Sequence, residues 1–148
     1  EGAPVPESDA YDKIDTTRKA WLAGEVEAVN IDTEQWTGHE WLYFLNNMPK
    51  ELSAEQLAAL DAAFSLTTTQ NNEIAHSWLM IAVANEYKPA YDRLYEYLVN
   101  IGRNKLVKPL YRSLSATPEG KAFAKRAFEE AKPGYHPLTI RANEGFVE

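Results

Sequence analysis

Helix-start signals recur along this chain and constrain its fold more than any other feature. Thr37 stands three residues before Glu40, and Ser53 stands three residues before Gln56. In such a capping box the hydroxyl accepts from a backbone N–H of the first turn, while the longer side chain reaches back to the backbone of the N-cap. Strict alternation of apolar and polar residues, which predicts strands, is nearly absent. We therefore expect an all-α fold.

The spacing of apolar residues predicts helices joined by short turns. In chain order they are expected from Ser8 to Ala23 before Gly24, from Thr37 to Pro49, from Ser53 to Phe64, from Asn72 to Asn85, from Lys88 to Gly102, from Val107 to Leu114, from Thr117 to Ala131, and from His136-Pro137 toward the C-terminus. The restart at Val107 is expected because Pro109 disrupts a helix interior but fits a first turn. Helices with such short connections stack as antiparallel pairs, in a bundle or a superhelical array.

The length and composition predict one compact domain. A chain of 148 residues that is 45% hydrophobic can bury a core without disulfides. Residues 1–7 contain two prolines and resemble an interdomain linker, so we assign the helical domain to residues 8–148. The first residue is Glu1 and not Met, which indicates a piece of a longer protein.

Charge and residue usage exclude several classes of function. A net charge of −7 argues against a general nucleic-acid binder, which needs a basic face. The apolar runs are far shorter than the roughly 20 residues of a membrane-spanning helix. The chain has no cysteine, so it has no disulfide, thiolate nucleophile or thiolate metal ligand. We expect no nucleic-acid or membrane partner. For the location we expect the cytoplasm, with export of the parent protein as the alternative.

His39 and Glu40 resemble the beginning of the zinc motif H-E-x-x-H, in which two histidines one helical turn apart hold the metal. The second histidine is missing, because Tyr43 occupies its position. Glu40 is already explained by its capping box. His76 and His136 lie in other helices without ligand spacing, so we predict no metal site in this chain.

One stretch runs against the acidic character of the chain. Between residues 100 and 116 there is no acidic residue, while four cations occur: Arg103, Lys105, Lys108 and Arg112. Cations just before a helix face its positive dipole end, so helix stability does not explain Arg103 and Lys105. Two interpretations are open: capture of a carboxylate by these two residues, or a solvated basic loop that pairs with neighbouring acids.

The second half of the chain resembles the C-terminal domain of leukotriene A4 hydrolase and aminopeptidase B, which are M1-family zinc aminopeptidases. The matching motifs share order and spacing with that family: Asn71-Asn-Glu-Ile74 followed by Trp78-Leu79, Gly102-Arg-Asn-Lys105 followed by Lys108-Pro-Leu110, and His136-Pro-Leu-Thr139. The first half matches less sharply, through Tyr11, Trp21 and the next two helices. Within the basic stretch, the chain departs from the animal enzymes at Asn104 and Leu106.

The resemblance implies antiparallel helix pairs in two layers, akin to an armadillo or HEAT array, packed against a catalytic domain of the same chain. In the family, the zinc ligands and the catalytic glutamate belong to that separate domain. The residues corresponding to Arg103 and Lys105 lie at the mouth of the cleft and bind the free carboxylate of the substrate.

The resemblance therefore favours carboxylate capture over the solvated loop, and a peptide as the substrate. It implies zinc in the full-length parent and no cofactor in these 148 residues, which alone are expected to be inactive. The alternative is a stand-alone helical module that binds a protein or peptide without catalysis.

Overall fold

The computed structural model describes residues 6–31, 33–34, 36–49, 51–101 and 103–147, with backbone alone for residues 6–10. Within these ranges the chain forms eight α-helices and no strand. The helices are α1 Pro6–Leu22, α2 Gly38–Asn46, α3 Ala54–Phe64, α4 Asn72–Ala84, α5 Tyr91–Asn100, α6 Asn104–Leu114, α7 Pro118–Ala131 and α8 Pro137–Val147. Single 3-10 turns cover Ala28–Asn30, Leu66–Thr68, Lys88–Ala90 and Lys132–Gly134. The prediction of an all-α fold is confirmed.

Local signals predicted most of the helix ends within two or three residues. Both capping boxes are present, with Thr37 accepting from the N–H of Glu40 and Ser53 from that of Gln56. The first helix begins at Pro6, two residues before the expected Ser8, because proline suits a first helical turn. The first five residues of the linker predicted for residues 1–7 lie outside the described ranges. Gly102, the expected end of the fifth helix, also lies outside them.

The predicted restart at Val107 is wrong, because α6 begins at Asn104 and contains Pro109 in its interior. The proline removes the N–H that would pair with the carbonyl of Lys105, which costs about 3 kcal/mol. Five side chains of this helix are buried, namely Leu106, Val107, Leu110, Tyr111 and Leu114. Since full burial of one leucine or valine contributes about 1.5–3 kcal/mol, packing outweighs the proline.

The chain divides into two compact units, Glu1–Trp78 and Leu79–Glu148, called here the N-terminal and C-terminal units. In the N-terminal unit, α1 packs on α2. The ring of Tyr11 stacks on Tyr43 with centroids 4.2 Å apart, and the Tyr43 hydroxyl donates to Asp15 at 2.9 Å. Ile14 and Trp21 are buried on the same stripe of α1.

An aromatic cluster and a polar turn complete the N-terminal unit. Trp41 lies 4.8 Å from Trp36 and 5.0 Å from Phe64 between ring centroids. The hydroxyl of Thr67, in the turn after α3, donates to Asp61 and accepts from the indole N–H of Trp78, which is fully buried. The turn predicted after Phe64 therefore supplies the buried indole with a hydrogen-bond partner.

Side-chain contacts define the helix directions in the C-terminal unit. Tyr91 meets Phe123 and, further along both helices, the Tyr95 hydroxyl donates to Glu130, so α5 and α7 run parallel. Tyr111 meets Phe128, whereas the chain at Leu114 comes close to Gly120, so α6 and α7 are antiparallel. With α8 packed on α6, the four helices form two layers, α5 with α7 and α6 with α8.

Candidate functional site

The basic turn, residues 103–105, forms the start of α6. Arg103 is the N-cap residue, in an extended conformation with φ −75° and ψ 114°. Its carbonyl accepts from the N–H groups of Leu106 and Val107, while its side chain makes no capping hydrogen bond. The side chains of Arg103 and Lys105 are exposed, and the first turn of α6 contains no acidic residue.

This helix start differs from most others in the chain. Five of the other helices have a polar side chain that accepts from their first-turn N–H groups, and these are Thr37 for α2, Ser53 for α3, Asn71 for α4, Thr117 for α7 and His136 for α8. A helix N-terminus carries a partial positive charge and unsatisfied N–H donors. At α6 two full cations add to that charge, so the turn is suited to an anion.

Arg103, Lys105 and Lys108 make no ion pair with any acidic residue in the described ranges. Pairing with neighbouring acids, the second interpretation of the basic stretch, is therefore not seen for these three side chains. The fourth cation, Arg112, lies over the ring of Phe146 with 5.9 Å between its guanidinium carbon and the ring centroid. The structure thus places Arg103 and Lys105 at the same helix start and gives Arg112 a different contact.

Long-range hydrogen bonds lie before the basic turn and within it. Before it, the Tyr135 hydroxyl donates to the carbonyl of Leu98 in α5 and lies 2.8 Å from the Tyr111 hydroxyl. Within it, the side-chain amide of Asn143 in α8 donates to Asn104 Oδ1 at 2.9 Å. Burial raises the pKa of Tyr135 to about 12 and that of Tyr111 further still, so both hydroxyls remain protonated donors at neutral pH.

Sequence reasoning did not identify Asn143 as a neighbour of the basic turn. Thr139, Asn143 and Val147 are spaced by four residues and are all buried on one face of α8. That spacing was a usable signal for a buried helix face at the C-terminus. The partner of Asn143 could not be read from it, because Asn104 is 39 residues away along the chain.

The described residues do not fit a zinc site. His39 is exposed, and the carboxylate of Glu40 accepts from the N–H of Thr37 at 2.7 Å in the capping box. His136 Nδ1 accepts from the N–H of Leu138 at the start of α8. No group of three or more potential ligands among His, Cys, Asp and Glu comes together in the described ranges.

Each unit also contains a concave surface. In the N-terminal unit a groove of about 440 Å3 is lined largely by apolar residues, including Trp21 and Val29. In the C-terminal unit a cavity of about 160 Å3 lies where Lys88 pairs with Glu119. Neither is lined by a residue of the basic turn.

In the part of the chain that the structure describes, no helix combines the length and apolarity needed to cross a membrane.

Comparison with known proteins gives relatives that are much longer than this chain. Leucine aminopeptidase 2 of Pyricularia oryzae is 32% identical over 140 residues, which cover 91% of this chain and 22% of the relative. Leucine aminopeptidase 2 of Neurospora crassa is 30% identical, with 91% and 21% covered. The chain thus spans about a fifth of the length of these relatives.

A solved structure and a family model agree with these matches. The structure of yeast LTA4 hydrolase in complex with bestatin superposes with a TM-score of 0.72 at 20% sequence identity, covering 94% of this chain and 25% of that one, which supports the fold. The model of the family "Leukotriene A4 hydrolase, C-terminal" matches residues 36–143, most of the chain including the basic turn. The chain therefore belongs to the leukotriene A4 hydrolase C-terminal domain family.

Proposed function

We propose that the protein carrying this domain is an M1-family zinc aminopeptidase that removes N-terminal residues from peptides. In this proposal the helical domain scaffolds the active-site cleft, and Arg103 and Lys105 anchor the free carboxylate at the far end of the peptide. The names of the fungal relatives, leucine aminopeptidase 2, support the peptidase activity. Zinc and bond cleavage belong to a catalytic domain of the same chain, since the described residues of this domain do not fit a metal site.

The observation that carries the anchor is the uncapped, doubly cationic start of α6. Arg103 takes the N-cap position without capping, and Lys105 follows in the first turn, both exposed and neither paired with a described acid. A guanidinium binds both oxygens of a carboxylate, and an ammonium adds a second point charge. The N–H groups at the helix start point toward the same anion.

The expected contribution of the anchor to the reaction is positional. A peptide fixed by its terminal carboxylate loses freedom before the reaction, so its scissile bond is held in place for the catalytic domain. No proton transfer is assigned to Arg103 or Lys105. A substrate without a terminal carboxylate should gain nothing from the anchor.

The test compares two forms of one short peptide, with a free C-terminal carboxylate and with a C-terminal amide, in the full-length protein. Arg103→Ala should lower kcat/KM for the free acid about tenfold or more, since charge-assisted hydrogen bonds contribute about 1.5–3 kcal/mol. The amide should be affected little. Lys125→Ala, which removes an exposed cation of α7, is the matched control and should leave both peptides unchanged.

Equal losses on the two peptides would assign Arg103 a structural role and contradict the anchor. Unchanged kinetics on the free acid would contradict it as well. If the wild-type full-length protein does not release N-terminal residues from either peptide, the aminopeptidase assignment itself is wrong.

A further inference from the structure

The motif His136-Pro-Leu-Thr139 has no role in the proposed anchor, yet it organises the start of α8. His136 accepts from the N–H of Leu138 through its side chain and from those of Thr139 and Ile140 through its carbonyl. These bonds fix where the carbonyl of Thr139 lies, one turn before Asn143. The motif therefore determines the backbone to which Asn143 is tied.

Asn143 is completely buried, and both hydrogens of its side-chain amide are used. One is donated to the Thr139 carbonyl at 2.8 Å and the other to Asn104 Oδ1 at 2.9 Å. A backbone carbonyl can only accept, so the bond to Thr139 defines which side of the Asn143 carboxamide is the amide. Asn104 must then accept through its Oδ1, so the orientation of the Asn104 carboxamide is fixed as well.

This arrangement costs stability. The Oδ1 atom of Asn143 is buried and has no hydrogen-bond partner in the described ranges. A buried polar atom without a partner is destabilising, and an apolar side chain of similar shape would avoid that cost. Asn143 is therefore better explained by the position it gives to Asn104 than by a contribution to stability.

Asn104 stands between Arg103 and Lys105 in the basic turn. A bond that holds its side chain against α8 restrains the backbone from which both cations project. We propose that Asn143 is a positioning residue for the carboxylate anchor. It acts through Asn104 and holds the start of α6 so that Arg103 and Lys105 meet the same carboxylate. This inference rests on the proposed function of the basic turn.

The test uses the full-length protein and the same pair of peptides, free acid and amide. Asn143→Leu keeps a branched side chain and removes both donors. KM for the free acid should rise about three- to tenfold, as expected for a hydrogen bond of about 1 kcal/mol together with looser positioning, while KM and kcat for the amide stay unchanged. Asn104→Ala should give the same selective rise, and the double variant should be no worse than either single one.

Asn47→Ala is the matched control, because the Asn47 amide also donates to a carbonyl four residues earlier, that of Tyr43. It should leave both peptides unaffected. If Asn143→Leu fails to fold, Asn104→Ala removes the same bond from the other side and decides the question.

The role of Asn143 would be overturned by an equal rise in KM on both peptides, or by an unchanged KM on the free acid. Additive effects of the two substitutions in the double variant would overturn it as well. If Arg103→Ala is selective for the free acid and neither asparagine variant is, the anchor stands and only this inference fails. If Arg103→Ala is not selective either, the anchor itself has failed.

Discussion

In the N-terminal unit, exposed side chains cap α2 and α3, whereas the C-terminal unit also contains long-range hydrogen bonds made by buried side chains. Thr37 and Ser53 each cap a helix within four residues and are exposed. Tyr135 and Asn143 are buried and reach partners 37 and 39 residues away. A cap defines where one helix begins, while a buried long-range bond sets one helix against another. The candidate anchor lies in the unit that contains the second kind of bond.

The two units also differ in charge. Residues 1–78 contain 14 acidic and 4 basic residues, whereas residues 79–148 contain 8 acidic and 11 basic residues. The net charge of −7 therefore describes neither unit well. A carboxylate that approaches the basic turn meets the half of the chain in which positive charge prevails.

The largest expected effect tests how closely the helices of the C-terminal unit approach each other. A Cβ atom at Gly120 would lie 2.3 Å from the carbonyl oxygen of Leu114 and 2.8 Å from the Thr117 hydroxyl that caps α7. Gly120→Ala should therefore lower the free energy of unfolding by about 3 kcal/mol, measured by chemical denaturation.

Gly145→Ala is the control for that substitution. Gly145 is exposed within α8 and has no atom within 4 Å of the added Cβ. The variant should be more stable by about 0.5–1 kcal/mol, since alanine restricts the unfolded chain and favours a helix. A cost below about 1 kcal/mol for Gly120→Ala would show that the α6–α7 turn relaxes easily, contrary to the close approach.

An intermediate effect compares one tyrosine hydroxyl from each unit. Tyr135→Phe leaves the Leu98 carbonyl and the Tyr111 hydroxyl without their buried partner, so it should cost about 2 kcal/mol of unfolding free energy. Tyr43→Phe removes a bond to Asp15, which water can reach, and should cost less than about 1 kcal/mol. Equal costs in thermal or chemical unfolding would show that the depth of burial of a tyrosine hydroxyl does not determine the cost of removing it.

The smallest effect concerns pH and the N-terminal unit. Arg18 and then Tyr43 hydrogen-bond to Asp15 and hold the pKa of its carboxyl below the usual value. A carboxyl whose pKa is lowered by folding stabilises the protein above its unfolded pKa, and this contribution is lost as the pH falls through the folded pKa. The stability of Asp15→Asn should therefore fall less than that of the wild type between about pH 5 and pH 2.

Glu119 provides the comparison from the C-terminal unit, because Lys88 also lowers its pKa. The side chain of Glu119 is 74% exposed, against 32% for Asp15, so solvent screens this pair more strongly. Glu119→Gln should change the fall in stability at acidic pH less than Asp15→Asn does. Parallel curves for wild type and Asp15→Asn would contradict the assigned role of Asp15.

The sequence predicted those parts of the fold that depend on a few neighbouring residues. The helix expected from Thr117 to Ala131 is α7, because its cap, its proline and the following Pro133-Gly134 are all local signals. The start of α6 was missed because the local cost of Pro109 is visible in the sequence, while the burial of Leu106, Leu110 and Leu114 is not.

For the candidate site, too, one part was visible in the sequence and another part only in the tertiary structure. The sequence determined that four cations occur without an acid, and the resemblance to a known family selected Arg103 and Lys105 among them. Only the tertiary structure decided that the start of α6 has no side-chain cap, that Tyr135 bonds to the chain before the basic turn, and that Asn143 bonds to Asn104 within it. The physical reason is range: capping and periodicity act within a turn or two, whereas a buried hydrogen bond depends on which distant helices pack together.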